Sequence, residues 1–391
     1  MIVIAGKNDI AVHGLILAIE FYGAENVAVI INKNDTGIDG WQRSLLKAAV
    51  EAKVKVLSLD EVYSKQIKLF LSLEFDQIIK PEKLKIENIF NIHFSKLPKY
   101  KGMYTSVWPI LYGDNETAVT LHKIDSGIDT GDIIAQEVFT LSEKDRSQDC
   151  YRKYIKNSKK LLDDNFEKIV NSTFESREQP SDESTYFSSK TINFHELNIE
   201  FNKTAWQVKR QVYAFSFRPY QLLCLDNKKI SEVVITKDKS KLKPGTIIDK
   251  SENYTLISTI DYDIELHFDD LNGFLKKIPT ISLVDFKKNL TQILGINDRN
   301  EKGWSPIIVA AYHGRKDIID FLIENGADIN DRSYRGTTVL MYAKDYSIVN
   351  DDSTIFRYLM SLGADANLKD WSGKKILDYI TNKQAKFLGL L

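Results

Sequence analysis

Cysteine is nearly absent from this chain: Cys150 and Cys224 are the two thiols in 391 residues. Two cysteines make neither a disulfide framework nor a metal cluster, and neither sits beside an obvious activating residue, so reduced structural thiols and no metal site are expected. An excess of charge of one sign is missing too. Lys and Arg number 53 against 54 Asp and Glu, a formal net charge of -1, which removes the electrostatic case for a nucleic-acid partner. No run approaches the ~20 apolar residues of a membrane helix, and the apolar start, Met1 to Gly6, is too short for a secretion signal and has no basic lead-in. A soluble, cytoplasmic protein is expected. The turn after that first run reads Gly6-Lys7-Asn8-Asp9, not G-x-G-x-x-G, which argues against a nicotinamide or flavin cofactor.

The chain exceeds the size of a single hydrophobic core, so two or three domains are expected. Ile2–Ala5 and Val27–Ile31 read as buried strands around a helix over Ala11–Phe21. A helix over Trp41–Ala52 follows, with strands at Val54–Leu57, Leu69–Leu73 and Ile89–His93. This alternation predicts an α/β fold with a mostly parallel, Rossmann-like sheet over residues 1–185, whose ligands bind at the carboxyl ends of the strands. Val119–His122 and the start of a strand at Gly131–Gln136 flank a tight loop. A long helix is expected over Glu143–Ser172, capped by Ser142, and the polar stretch Glu178–Lys190 reads as a linker or surface excursion. Short strands at Gln221–Leu225, Lys229–Ile235, Thr246–Ile248 and Thr255–Thr259 predict a small mixed, β-rich domain over 186–291, with a helix at Trp206–Ala214.

The densest chemistry lies in Asn91-Ile92-His93-Phe94-Ser95-Lys96-Leu97-Pro98 and Asp125-Ser126-Gly127-Ile128-Asp129-Thr130-Gly131-Asp132. Residues two apart on a strand point the same way, so Asn91 and His93 can face one pocket. Moving an acyl group onto an amine needs a donor for the developing oxyanion, a base for the proton and a group that orients the base. Asn91, His93 and Asp129 can fill these roles. Lys7 and Asn8, at the mouth of the first strand, offer a cation and an amide to a phosphate.

At the carboxyl end, Gly303-Trp304-Ser305-Pro306 and Gly336-Thr337-Thr338-Val339 begin 33 residues apart. Asn-Gly-Ala-Asp at 325–328 and Leu-Gly-Ala-Asp at 362–365 close each unit 37 residues apart, which predicts an insertion around Tyr346–Asp352. Two submotifs recurring in order at this period resemble ankyrin repeats. An all-α repeat module over 292–391 follows, with a third, truncated unit from Gly373. So few repeats need support from the preceding domain or a dimer mate. Trp304 is expected to stand exposed near the binding face, and with Tyr312, Tyr334 and Arg335 it could clamp a small ligand or a partner protein.

The Asn91–Gly102 and Gly127–Ile133 segments resemble the active-site motifs of formyltransferases that use N10-formyltetrahydrofolate. Met103-Tyr104-Thr105-Ser106-Val107-Trp108-Pro109 and Phe217-Arg218-Pro219-Tyr220 look most like the sugar N-formyltransferases, which act on amino sugars linked to a nucleoside diphosphate, commonly dTDP. The resemblance covers roughly residues 1–230. It implies His93 as the catalytic histidine, Asn91 as the amide holding the formyl oxygen and Asp129 as the completing carboxylate. For the folate it implies Ser72, Leu73, Glu74, Phe75, Asp125 and Ile128. For the nucleotide sugar the candidates are Lys7, Asn8, Lys99, Tyr104, Arg218 and Tyr220, with Arg218 suited to a diphosphate and Tyr220 to stacking on a base. A homodimer acting on a dTDP-linked 3- or 4-amino-dideoxyhexose in surface polysaccharide (O-antigen) synthesis is the expectation. A formyltransferase for aminoacyl-tRNA and an ankyrin adaptor on an inactive scaffold are the alternatives.

Overall fold

The computed structural model describes residues 1–218 and 220–391. Pro219, within the Phe217–Tyr220 segment singled out above, lies outside the described residues. The chain divides into two compact units, Met1–Leu197 with Tyr213–Phe217, and Asn198–Val212 with Arg218–Leu391.

In the first unit the apolar runs become β1 (Ile2–Gly6), β2 (Val27–Ile31), β3 (Lys55–Val56), β4 (Leu69–Leu73) and β5 (Ile89–His93). They are followed by β6 (Lys101–Gly102), β7 (Glu116–Lys123), β8 (Ile133–Thr140) and β9 (Tyr186–Phe187). The helices are α1 (Asn8–Tyr22), α2 (Leu45–Glu51), α3 (Leu59–Tyr63), α4 (Pro81–Leu84), α5 (Trp108–Tyr112) and α6 (Ser147–Asn171). Seven strands form one sheet in the order β3-β2-β1-β4-β5-β7-β8. The first five run parallel, β7 runs against β5, and β8, antiparallel to β7, returns to the direction of the first five. Residues buried on both faces explain why β1, β2, β4 and β5 read as largely apolar runs. Val3, Ala5, Ile30, Phe70 and Ile89 form one side of the core, and Phe70→Ala there should cost about 3–5 kcal/mol.

Register sets the functional edge. Gly6 pairs with Leu73, Ser72 with Asn91 and Leu73 with Ile92, so Lys7, Glu74 and His93 emerge at the same carboxyl end. Gly6 is required there by packing: a Cβ at its φ of +153° would lie 1.8 Å from the Leu73 carbonyl oxygen.

Three local expectations change. The second helix starts at Leu45, because Ser44 Oγ accepts the Lys47 amide as its cap and leaves Trp41 in the loop. The long helix starts at Ser147, not Glu143. Ser142 caps nothing there; its amide donates to Asp145, and Asp149 instead accepts the Arg146 amide at 3.0 Å. The polar stretch 178–190 is not a bare linker, since β9 within it pairs in parallel with β6.

In the second unit, after α7 (Ala205–Ala214), five antiparallel strands run β10 (Cys224–Leu225), β11 (Lys228–Ile235), β12 (Ile247–Lys250), β13 (Tyr254–Ile257) and β14 (Ile264–Phe268), ordered β10-β11-β14-β13-β12. β14 adds to the four strands expected here, and its Ile264, Leu266 and Phe268 alternate as a strand should. The repeats follow as helix pairs Pro306–Tyr312 with Lys316–Glu324 and Val339–Asn350 with Thr354–Ser361, then a third piece with a helix at Asn382–Leu388. The inserted residues lengthen the first helix of the second pair to 12 residues against 7 in the first. Support for this short array comes from two preceding helices, Leu271–Lys277 and Leu283–Lys288, whose Phe274 and Phe286 share a continuous core with Ile307, Leu340 and Phe356. Arg315 fastens the junction, donating to the carbonyls of Ile278 and Ile281 at 2.6 and 2.7 Å.

Candidate active site

β5 delivers Asn91 and His93 to the sheet edge, and the β7–β8 loop delivers Asp129, whose φ of +55° bends the loop back over them. Asp129 Oδ2 lies 3.5 Å from His93 Nδ1 and accepts the Gly102 amide at 2.9 Å. Asn91 Nδ2 points at Asp129 Oδ1 across 3.4 Å. The three residues named from the sequence therefore converge.

A fourth group belongs with them. His122 stands opposite Asn91 on β7, nearly buried, with Nε2 3.1 Å from Asn91 Nδ2 and 3.6 Å from Asp129 Oδ1. Its Nδ1 is 2.7 Å from the Lys123 carbonyl. A carbonyl can only accept, so Nδ1 carries the proton and Nε2 accepts one Asn91 hydrogen. This leaves the other hydrogen, on the longer contact to Asp129, for a ligand oxygen. The signal for His122 was available: a lone imidazole at the end of an apolar strand bordering the Asp129 loop.

The same reasoning fixes His93. Its Nε2 is 2.8 Å from the Tyr100 carbonyl, so Nε2–H donates and Nδ1, facing Asp129, is the basic nitrogen. Burial pushes the His93 pKa down, more than the nearby Asp129 carboxylate raises it. Burial pulls the Asp129 carboxyl upward, but His93, His122 and the Gly102 amide outweigh it and hold it well below the usual carboxylate range. At neutral pH the pair is thus a neutral base beside an ionised acid.

Among the residues expected to meet the folate, Ser72 is buried on β4 beside Asn91, and Leu73 is core. Phe75 packs against the β-sheet core. Asp125 organises the loop, accepting from the Gly127 amide at 3.1 Å and the Thr130 hydroxyl at 2.6 Å. Ile128, next to Asp129, is exposed and offers an apolar surface at the mouth. Glu74 faces inward with Asn8: its carboxylate accepts from Asn8 Nδ2 at 3.1 Å and Tyr151 Oη at 2.8 Å. Burial pushes its pKa up to about 7, against the bonds from Tyr151 and Asn8 and the charge of Lys7. Trp41 and Phe217 pack on Tyr151 at 5.4 Å each, making a polar floor with aromatic walls.

The remaining candidates separate. Tyr104 donates to the Ser189 carbonyl at 3.3 Å and meets the Phe194 ring at 4.9 Å. Lys99 is half-buried, and its carbonyl accepts the Ser95 hydroxyl. Arg218 is held by two acids. Its Nε donates to both carboxylate oxygens of Asp298 at 3.1 and 3.0 Å, and its Nη2 donates to Asp269. These two acids engage the Nε and Nη2 side of the planar fork. Tyr220 is exposed.

Trp304 is less exposed than expected. It is half-buried against the repeat core, and its indole donates to Tyr342 Oη at 3.0 Å, which satisfies the one polar atom. Tyr312 meets the same Tyr342 ring edge-on at 6.2 Å. Tyr334 lies over Gly303, and the Arg335 carbonyl accepts the Trp371 amide. Among the described residues no group of three or more His, Cys, Asp or Glu could hold a metal ion, and no helix is long and apolar enough to cross a membrane.

Comparison with known proteins gives the family. Residues 42–165 match the formyl transferase family, 191–268 the formyl transferase C-terminal domain, and 283–370 ankyrin repeats (3 copies). The crystal structure of WlaRD, a sugar 3N-formyl transferase with dTDP and 5-N-formyl-THF, is 44% identical with a TM-score of 0.63, covering 68% of this chain and 97% of that one. An N-formyltransferase from Helicobacter canadensis, in complex with folinic acid and dTDP-3-aminofucose, is 41% identical with a TM-score of 0.63, covering 68% and 98%. Methionyl-tRNA formyltransferase of Malacoplasma penetrans is 27% identical over 67% of this chain and 86% of its own length. With identity above 40% across almost the whole of two relatives, the chain belongs to the sugar N-formyltransferase family and carries ankyrin repeats at its carboxyl end.

Proposed function

We propose that this enzyme moves a formyl group from N10-formyltetrahydrofolate to the 3-amine of a dTDP-linked amino-dideoxyhexose. The convergence of Asn91, His93 and Asp129 on one strand edge is the observation that carries the reading. The 3-position and the dTDP carrier are supported by the two relatives above 40% identity. Exposed Ile128 beside Asp129, with Asn91 Nδ2 behind it, fits a pterin that presents its formyl carbon to the edge.

The folate supplies an activated formyl carbon. His93 Nδ1 takes the proton that the sugar amine loses as the new C–N bond forms, Asp129 stabilises the resulting imidazolium, and the proton passes to N10 as the formyl carbon–N10 bond breaks and tetrahydrofolate leaves. Asn91 turns its second hydrogen from Asp129 to the formyl oxygen as charge grows there, while His122 holds the amide in place. The Lys7, Asn8 and Glu74 floor is suited to the sugar and its phosphates.

A transfer RNA substrate is the weaker reading, because a chain of net charge -1 offers a polyanion little. A homodimer in the cytoplasm serving surface polysaccharide synthesis completes the proposal. The repeat module serves as an accessory ligand site, built around Trp304 and the exposed Tyr312. Trp304→Ala should lower binding stoichiometry, and unchanged stoichiometry with unchanged kinetics would exclude that role. The main test assays the protein with N10-formyltetrahydrofolate and a panel of dTDP-amino sugars beside His93→Asn. Transfer by the parent alone is expected; no transfer to any sugar by folded parent protein would overturn the reading.

A further inference from the structure

The catalytic edge is completed by a segment far along the chain. Two residues of the edge, Tyr100 and Asp129, hold φ angles of +61° and +55°. Non-glycine residues keep such conformations only where their surroundings impose them. Both are gripped by residues 177–187. Thr185 Oγ accepts the Tyr100 amide at 2.8 Å, and the Thr185 amide donates to the Pro98 carbonyl at 3.3 Å. The Lys101 amide donates to the Thr185 carbonyl, and the Met103 amide to the Phe187 carbonyl. Gln179 Nε2 donates to the carbonyls of both Asp129 and Gly131 at 2.8 Å. Arg177 anchors the start by exchanging two backbone bonds with Ile133.

Each grip leads to a reacting group. The Tyr100 carbonyl is the acceptor for His93 Nε2–H, and the Gly102 amide, between two strap-bonded residues, is the donor to Asp129 Oδ2. Without the Tyr100 carbonyl, a neutral His93 would put its proton on Nδ1 and donate it to Asp129, since a carboxylate is the stronger acceptor. The nitrogen that must take a proton would then already hold one.

We propose that residues 177–187 act as a positioning strap: Thr185, through Tyr100, keeps His93 in the Nε2–H tautomer, and Gln179 holds the Asp129 turn against it. Both act through other residues and touch no substrate. The catalytic consequence rests on the formyltransferase reading, whereas the tautomer does not.

Thr185 is exposed, so Thr185→Val should leave folding intact, and Thr185→Ser restores the acceptor. The full-length parent and both variants, labelled with 15N-histidine and with His93→Asn to assign the signal, report which His93 nitrogen is protonated. Steady-state kinetics with N10-formyltetrahydrofolate and the preferred dTDP-amino sugar run alongside. The groups facing His93 that can shape its titration are Asp129, His122 and Lys101. Thr185→Val should move His93 to Nδ1–H and lower kcat by about tenfold to a hundredfold with KM within about threefold, as expected for misorientation rather than lost binding. Thr185→Ser should restore tautomer and rate. Gln179→Ala should lower kcat with the tautomer unchanged. An Nε2–H signal in Thr185→Val, parental kcat in that variant, or a defect that serine does not repair would each overturn the strap. An inactive parent would overturn the reaction instead, and the nitrogen spectra would still decide the tautomer.

Discussion

Two carboxylates on turns, one in each compact unit, are held in opposite ways. Asp331 of the first repeat's closing turn has partners at full contact: Ser305 Oγ at 2.5 Å, the Arg332 amide at 2.8 Å and the Arg299 guanidinium. Asp129 has one close partner, the Gly102 amide, while Asn91, His93 and His122 stand 3.4 to 3.6 Å away. Arg299 cannot give up a proton and a histidine can. The difference separates a buried acid that locks a repeat from one that leaves slack for a proton and a ligand atom.

The largest effect that would sharpen this contrast is on chemistry. His93→Asn should lower turnover about a thousandfold, within the range lost with a general base, and stopped-flow or endpoint formyl transfer would measure it. In the parent, activity needs neutral His93, so kcat/KM should be level near neutrality and fall toward acid. Because burial lowers that pKa, the acid limb should lie below the ordinary value of about 6.5. A limb above 7 would mean that Asp129 dominates and the pair is an ion pair at rest.

On the structural side, Asp331→Asn should cost about 3–5 kcal/mol in urea unfolding, because it strands Arg299 and unmakes a buried pair. The rate per folded molecule should stay at the parent value. A changed kcat with parental stability would break the comparison, since the repeat's carboxylate would then be the functional one.

Asn91→Ala should follow, cutting turnover by hundreds of fold with small loss of stability, as when one oxyanion donor is removed. Glu74 supplies the smallest and most graded test. Its partners are close, like those of Asp331, yet burial leaves it titrating near 7 rather than at the ordinary 4.5. The folded state then holds a proton that the unfolded chain has lost, so stability declines as pH rises from about 4.5 to 7. The decline should amount to about 3 kcal/mol, at about 1.4 kcal/mol per unit of pKa. Glu74→Gln should flatten that slope in unfolding curves taken from pH 5 to 8, and an unaltered slope would assign the dependence to another group.

What the sequence made legible follows from range. β4 and β5 were readable to the residue because burial on both faces leaves uninterrupted apolar runs, and Asn91 and His93 because they share one strand's alternation. His122 was passed over because its meaning lies in its cross-strand partner Asn91, 31 residues earlier. The acids that hold Arg218 stand 51 and 80 residues away, out of range of a local pattern, since a lone arginine reads the same beside a phosphate or an aspartate. The 177–187 segment left almost no mark, since backbone pairing of Lys101–Gly102 with Tyr186–Phe187 asks nothing of side-chain type.

That last pairing has a consequence for synthesis. Every strand of the main sheet, and both the Asn91–Gly102 and Gly127–Ile133 segments, leave the ribosome before Tyr186 does. A nascent chain can therefore bury its apolar runs and complete its seven-stranded sheet while the backbone at 100–103 still lacks its partner. The edge around His93 acquires its final form only when residues 185–187 arrive, so a fragment ending near residue 175 should fold as a sheet and remain idle as a catalyst.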